Sequence, residues 1–271
     1  MTQPLLPLLV EPEELEMRLG DKNLRVVDLS RAEHYQQGHV PAAVHLEYAR
    51  LLAPHPPAMG LAPAAAQLSE VLGGLGLTPA THVVAYDDEG NGKPARFLRT
   101  LDLAGHPRYS LLNGGRMAWL KEHRPLDRAP VPAAAGHYPV TPNGAVTADK
   151  TYILSRLGDP GVALLDARSP GEYRGEVRRA ARAGHIPGAV NFEWVNAMDP
   201  GRELRLRSSE ELLRALAGLG VTPDKEVIVY CHTHHRSAHT YFVLRHLGFA
   251  RVKGYPGSWS EWGNNPDTPI E

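Results

Sequence analysis

A chain of 271 residues, 42% of them hydrophobic, has room for one large domain or two of ordinary size. Its 29 basic and 30 acidic residues nearly cancel, which removes the electrostatic case for nucleic acid or a membrane surface as partner. A single cysteine forms no internal disulfide, in keeping with a reducing cytoplasm, and no stretch approaches the roughly 18 uninterrupted apolar residues of a membrane span.

The apolar start from Pro4 to Val10 lacks the basic flank and small-residue cleavage site of a secretory leader. It runs into the acidic Glu11-Pro-Glu-Glu-Leu15 and reads as a first strand followed by a helix start. From there the chain is written twice. Val26-Val-Asp28 leads to Glu33-His-Tyr35 and Gly38-His-Val-Pro41-Ala-Ala-Val44; later, Leu164-Leu-Asp166 leads to Glu172-Tyr173 and Gly184-His-Ile-Pro187-Gly-Ala-Val190. Leu72-Gly-Gly-Leu-Gly-Leu-Thr-Pro79 returns 144 residues on as Leu216-Ala-Gly-Leu-Gly-Val-Thr-Pro223, and each copy precedes a β-branched run ending in tyrosine, Tyr86 or Tyr230. Each half closes on a short segment ending in tryptophan, Gly115 to Trp119 and Ser258 to Trp262.

Between the copies, Arg124 to Val140 is rich in proline and alanine and has no period, which predicts an extended linker over 131–144. Two domains follow, 1–130 and 145–271. Both alternate short β-branched runs with helical patterns such as that after Ser208, whose spacing to Glu211 forms a capping box. The expected class is α/β, each domain a parallel sheet flanked by helices, with any ligand site beyond the carboxyl ends of the strands. His39 and His185 recur in both copies and are expected to be structural.

Cys231 occupies such a strand end. The apolar run Glu226-Val-Ile-Val-Tyr230 feeds the thiol into Cys231-His-Thr-His-His-Arg236-Ser237, and Phe242, Val243 and Leu247 then recur at helical spacing up to Gly248. A strand, a short loop and a helix start form an anion cradle. The backbone amides of His232, Thr233, His234, His235, Arg236 and Ser237 are the expected donors, stabilising a thiolate or an anion bonded to its sulfur. Arg236 is expected to attract an anionic substrate, assisted by His232, His234 and His235. At the offset of 144 the first copy has Asp87. A carboxylate cannot replace a soft nucleophile, so the first domain is expected to be non-catalytic, its loop serving packing and solubility.

The tandem order, the paired His-x-Pro-x-Ala turns, a cysteine loop in the second copy alone, and the ending Tyr255-Pro-Gly-Ser-Trp-Ser-Glu-Trp262 resemble the two-domain rhodanese sulfurtransferases over essentially the whole chain. The first turn departs from the family pattern in having Ala42 where a glycine is usual, and the cysteine loop is unusually rich in histidine. The resemblance implies ping-pong sulfur transfer through a Cys231 persulfide. It also places Arg168 at the family position where an arginine faces the cysteine and binds substrate, while Asp166 is expected to hold the following turn. Charged residues in the loop match the thiosulfate enzymes of the family, so thiosulfate is expected as donor over 3-mercaptopyruvate. The acceptor is a thiophile: cyanide, a small thiol, thioredoxin or a sulfur-carrier protein. No cofactor is implied, and the duplication, itself a pseudo-dimer, leads us to expect a monomer.

Three other readings compete. A cysteine-dependent phosphatase has five residues between cysteine and arginine, whereas four separate Cys231 from Arg236. A zinc site on Cys231, His235 and His239 lacks a fourth ligand and would consume the nucleophile. A catalytically silent binding module would not need the thiol.

Overall fold

Short β-branched runs joined by amphipathic segments have one economical solution, parallel strands linked by helical crossovers. The computed structural model, which describes residues 4–132, 134 and 136–271, adopts it twice. In the first half, β1 (Leu9–Val10), β2 (Leu24–Asp28), β3 (Val44–His45), β4 (His82–Tyr86) and β5 (Tyr109–Leu112) form one sheet in the order β1-β5-β4-β2-β3, with every pairing parallel. The accompanying helices are α1 (Pro12–Glu16), α2 (Ala32–Gln37), α3 (Ala65–Gly74), α4 (Gly92–Leu103) and α5 (Gly115–Lys121). The acidic start predicted for α1 is seen as a reciprocal cap between Glu11 and Glu14.

The second half contains α6 (Lys150–Arg156), β6 (Val162–Asp166), α7 (Pro170–Tyr173) and β7 (Val190–Asn191), then the two short strands β8 (Met198–Asp199) and β9 (Arg205–Leu206). After them come α8 (Ser209–Gly218), β10 (Glu226–Tyr230), α9 (Arg236–His246), β11 (Val252–Gly254) and α10 (Ser258–Trp262). The main sheet runs β11-β10-β6-β7, again wholly parallel. Its central strand β10 buries Val227, Ile228, Val229 and Tyr230, as β4 buries Val83 through Tyr86. Strands covered on both faces need apolar residues at successive positions, which is why neither run alternates. No helix of the described residues is long and apolar enough to cross a membrane.

Contacts divide the chain into two units that are not simple halves. One comprises residues up to 51 with 63–143 and 199–206; the other comprises 52–62, 144–198 and 207–271. The segment expected as a linker is in part packed. Tyr138 is 3% exposed, its N–H donates to the Ser69 carbonyl at 3.0 Å, and the Thr141 and Asn143 N–H groups donate to Ala104 and Leu103 at 3.0 and 2.8 Å. Proline-rich composition precludes regular ladders, but it leaves amides free to bond the ends of neighbouring helices. Ala133 and Ala135, also within that segment, lie outside the described residues.

The duplication holds at the level of single atoms. His39 stacks on Tyr35 at 3.9 Å with its Nδ1 2.9 Å from the Tyr35 carbonyl; His185 stacks on Tyr173 at 3.8 Å with Nδ1 2.8 Å from the Tyr173 carbonyl. The Trp119 and Trp262 indoles donate to the carbonyls of Pro125 and Pro269, both at 2.8 Å. These are structural roles, common to a unit with the thiol and one without it. Ala42 carries a φ of 61°, where its counterpart Gly188 has 74°. The first copy therefore accepts left-handed strain of roughly 1 kcal/mol at its turn.

Candidate active site

Strand β10 delivers Cys231 at its carboxyl end, where the residue is 1% exposed. The loop that follows is fixed from one side by the start of α10. The Cys231 N–H donates to Ser258 Oγ at 3.3 Å, and the carbonyls of Cys231 and His232 accept from the Trp259 and Ser260 N–H groups at 2.9 and 3.0 Å. His234 takes a left-handed φ of 57°, which turns the chain into α9. The first N–H groups of an α-helix lack intrahelical acceptors, so those opening α9 add donors and partial positive charge beside the sulfur.

A glycine that sequence patterns give no reason to single out supports this loop. A Cβ on Gly60 would lie 2.4 Å from the carbonyl oxygens of both Thr233 and Pro256. We expect Gly60→Ala to displace Thr233 and lower turnover about tenfold or more, as small misplacements at reacting centres do. Steady-state kinetics beside a thermal melt check this; unchanged turnover in a folded variant would contradict it.

The first unit serves as an internal reference for what such a loop binds. Asp87, at the position of Cys231, is 1% exposed. Its Oδ1 accepts the N–H groups of Glu89 and Asn91 at 3.0 and 2.7 Å, and its Oδ2 that of Lys93 at 3.3 Å. At the same offset these amides correspond to Thr233, His235 and Ser237. An aspartate oxygen and the outer sulfur of a cysteine persulfide are both two bonds from Cβ, so the Asp87 carboxyl oxygens lie where the outer sulfur of a persulfide on Cys231 would lie.

Burial pushes the Asp87 carboxyl up to about 7 from 3.8, with the backbone N–H groups of Glu89 and Asn91 opposing that shift. Because the folded state then binds the proton more tightly, this group's contribution to stability is full below about pH 4 and is lost as pH rises toward 7. We expect Asp87→Asn to remove a slope of up to about 1.4 kcal/mol per pH unit within that window, read from urea melts, and to leave turnover within about twofold. Lost turnover at unchanged stability would give the first unit a part in the chemistry.

Each of the two arginines expected at the site is paired with a carboxylate. Arg168, expected to bind substrate, is 1% exposed. Its Nε and Nη2 donate to Asp166 at 2.9 and 2.6 Å, Nη2 also donates to the Gly184 carbonyl at 2.8 Å, and the guanidinium lies 4.5 Å over the Trp259 ring. Asp166 holds the turn as expected, accepting the Arg168 N–H at 2.9 Å, and binds the guanidinium as well. In the first unit the carbonyl matching Gly184, that of Gly38, accepts Arg116 at 3.2 Å. A guanidinium on this carbonyl is thus a feature of both units, including the one without a thiol, so this contact of Arg168 does not depend on the thiol.

Arg236 carries its charge in the loop, but in partnership. Its Nη1 and Nη2 donate to the two oxygens of Glu172 at 2.6 and 3.0 Å. Burial alone would raise the Glu172 carboxyl; hydrogen bonds and charge from Arg236 outweigh it and hold the group down to about 2. Sequence reading missed this partner. The structure shows Glu172 in a capping box with Ser169 as well, a local role that by itself does not point to Arg236.

The histidines separate. His234 is fully buried with Nδ1 2.8 Å from Ser237 Oγ, a contact that shapes the loop. His232 is half-buried, and burial followed by the Arg236 charge lowers its pKa, keeping the ring neutral near pH 7. His235 is partly exposed and meets the Trp194 ring edge at 6.0 Å. His239 is buried, its pKa brought down to about 3 by burial and then by His235. Among the described residues no three His, Cys, Asp or Glu are placed to hold a metal ion.

Comparison with known proteins agrees with this architecture. A model of the rhodanese-like domain matches residues 11–122 and again 149–265. The chain is 50% identical to the thiosulfate sulfurtransferase of Azotobacter vinelandii and 49% identical to that of Pseudomonas aeruginosa, covering 98% of this chain and 97% of each relative. It is 34% identical to the sulfur carrier protein TtuD of Thermus thermophilus, over 97% of this chain and 96% of that one. An anaerobic ergothioneine biosynthesis enzyme from Chlorobium limicola shares the fold with a TM-score of 0.86 at 24% identity, over 97% of this chain and 70% of its own. With both copies matched and about half of all positions shared with full-length relatives, the chain belongs to the rhodanese family as a tandem of two rhodanese-like domains.

Proposed function

We propose that this protein is a thiosulfate sulfurtransferase working through a persulfide on Cys231. The Cys231 thiolate attacks the outer, divalent sulfur of thiosulfate. A sulfur–sulfur bond forms, the bond to the sulfonate sulfur breaks, and sulfite departs with its electron pair. The terminal sulfur left on Cys231 is anionic and is received by the amides of Thr233, His235 and Ser237. A nucleophilic acceptor such as cyanide then attacks that sulfur and leaves as thiocyanate, which restores the thiolate. No proton or electron is left over, and no cofactor is called for.

The observation that carries this reading is the Asp87 counterpart, whose carboxylate accepts the N–H groups of Glu89, Asn91 and Lys93 in the loop that Cys231 opens in the second unit. Donor choice follows from the cationic side chains about the cysteine loop and from relatives about 50% identical that carry the name thiosulfate sulfurtransferase. Steady-state assay of both donors on one preparation tests it: kcat/KM for thiosulfate exceeds that for 3-mercaptopyruvate, and the reverse order overturns the assignment. Arg236→Ala leaves the buried Glu172 carboxylate without its main partner. It should cost about 1.5–3 kcal/mol in kcat/KM for thiosulfate, roughly tenfold to a hundredfold, and less for the singly charged donor. Kinetics equal to wild type would remove Arg236 from donor binding.

A further inference from the structure

Thiosulfate is a dianion, yet the arginine of the cysteine loop is already engaged. The Glu172 side chain is 3% exposed, both its oxygens are bonded to Arg236, and Oε2 also accepts from Ser169 Oγ at 3.1 Å. A carboxylate in that position covers the planar fork with which a guanidinium takes an oxyanion. A second arginine stands beside the same group. Arg179 Nε is 3.5 Å from Glu172 Oε1, and its side chain is 59% exposed. Its neighbours in the basic segment are committed elsewhere. Arg174 bonds Glu176 at 2.6 Å, Arg178 the Ala180 carbonyl at 3.0 Å, and Arg182 the Trp262 and Thr268 carbonyls at 3.2 and 2.9 Å. The field of Arg179 reaches the thiol's neighbour His232, where it acts with those of Arg236 and Arg168 and against that of Glu172.

We propose that Arg179 receives the anionic end of the sulfur donor, and that Glu172, by covering the Arg236 fork, competes with that anion, so that the pair sets the donor charge the site accepts. The inference rests on the sulfur-transfer reading above. It predicts opposite effects at two adjacent residues, which a packing role at either would not produce. An exposed cation contributes little to folding, so Arg179 variants remain folded.

The test is KM and kcat for thiosulfate on the full chain at saturating cyanide, with Arg179→Ala, Arg179→Lys and Glu172→Gln. Arg179→Ala should raise KM about fivefold at low ionic strength with kcat within about twofold, and the difference should shrink at about 0.5 M salt. Arg179→Lys should restore KM to within about twofold. Glu172→Gln should lower KM about threefold to tenfold by uncovering the Arg236 fork. Should Glu172→Gln fail to fold, the arginine series decides. Unchanged KM in Arg179→Ala, a rise that lysine does not rescue, or a rise insensitive to salt overturns the proposal. A wild-type enzyme that takes up no sulfur on Cys231 overturns the underlying reading instead, whereas normal sulfur uptake with unmoved KM values overturns this inference alone.

Discussion

Cys231→Ser should lose sulfur transfer by at least about a thousandfold, the scale on which removal of a covalent nucleophile acts, while the protein stays folded. Serine nearly keeps the volume of the side chain at a position that is 1% exposed, and the loop bonds from Ser258, Trp259 and Ser260 are all to backbone atoms of Cys231 and His232. The geometry of the cradle therefore survives without its nucleophile. Far-UV circular dichroism and a thermal melt establish the fold, and thiocyanate formation reads the chemistry. Retained turnover in the variant would move the reaction to another group.

Arg168→Ala should cost stability where the family resemblance would have it cost substrate binding. Removing one partner of a buried ion pair leaves an uncompensated charge, in this case the fully buried Asp166 carboxylate, at about 3–5 kcal/mol. The Gly184 carbonyl and the Trp259 face lose their cation in the same step. Thermal and urea melts should show this loss, and activity should fall with the folded fraction. A variant with wild-type stability and a raised KM for thiosulfate would restore Arg168 to the substrate site.

Much of the fold could be read from the sequence because its signals are local and repeated. β-Branched runs, the Ser208 and Glu211 cap, and the turns at His39 and His185 each depend on neighbours a few residues away, and the duplication states each one twice. The thiol was legible for the same reason: a strand end followed by a helix start is itself a local pattern. What escaped depends on residues far apart in the chain. Arg168 looks like a free cation until the Gly184 carbonyl and the Trp259 ring are placed beside it. Glu172 explains itself as a capping residue, and only the fold brings Arg236 and Arg179 to its carboxylate. His234 looks like a donor equal to His232 and His235, but its left-handed backbone turns it inward. The exchange of 52–62 and 199–206 between units left no mark in composition, so the support of the cysteine loop by Gly60 was not visible.

The most direct test of the account is the mass of the intact protein after brief exposure to thiosulfate and removal of excess donor, followed by peptide mapping. A single added sulfur should appear, located on Cys231, absent from Cys231→Ser, and discharged by cyanide with release of thiocyanate. An unmodified Cys231 in a preparation that still turns over thiosulfate and cyanide would contradict the persulfide mechanism at its centre.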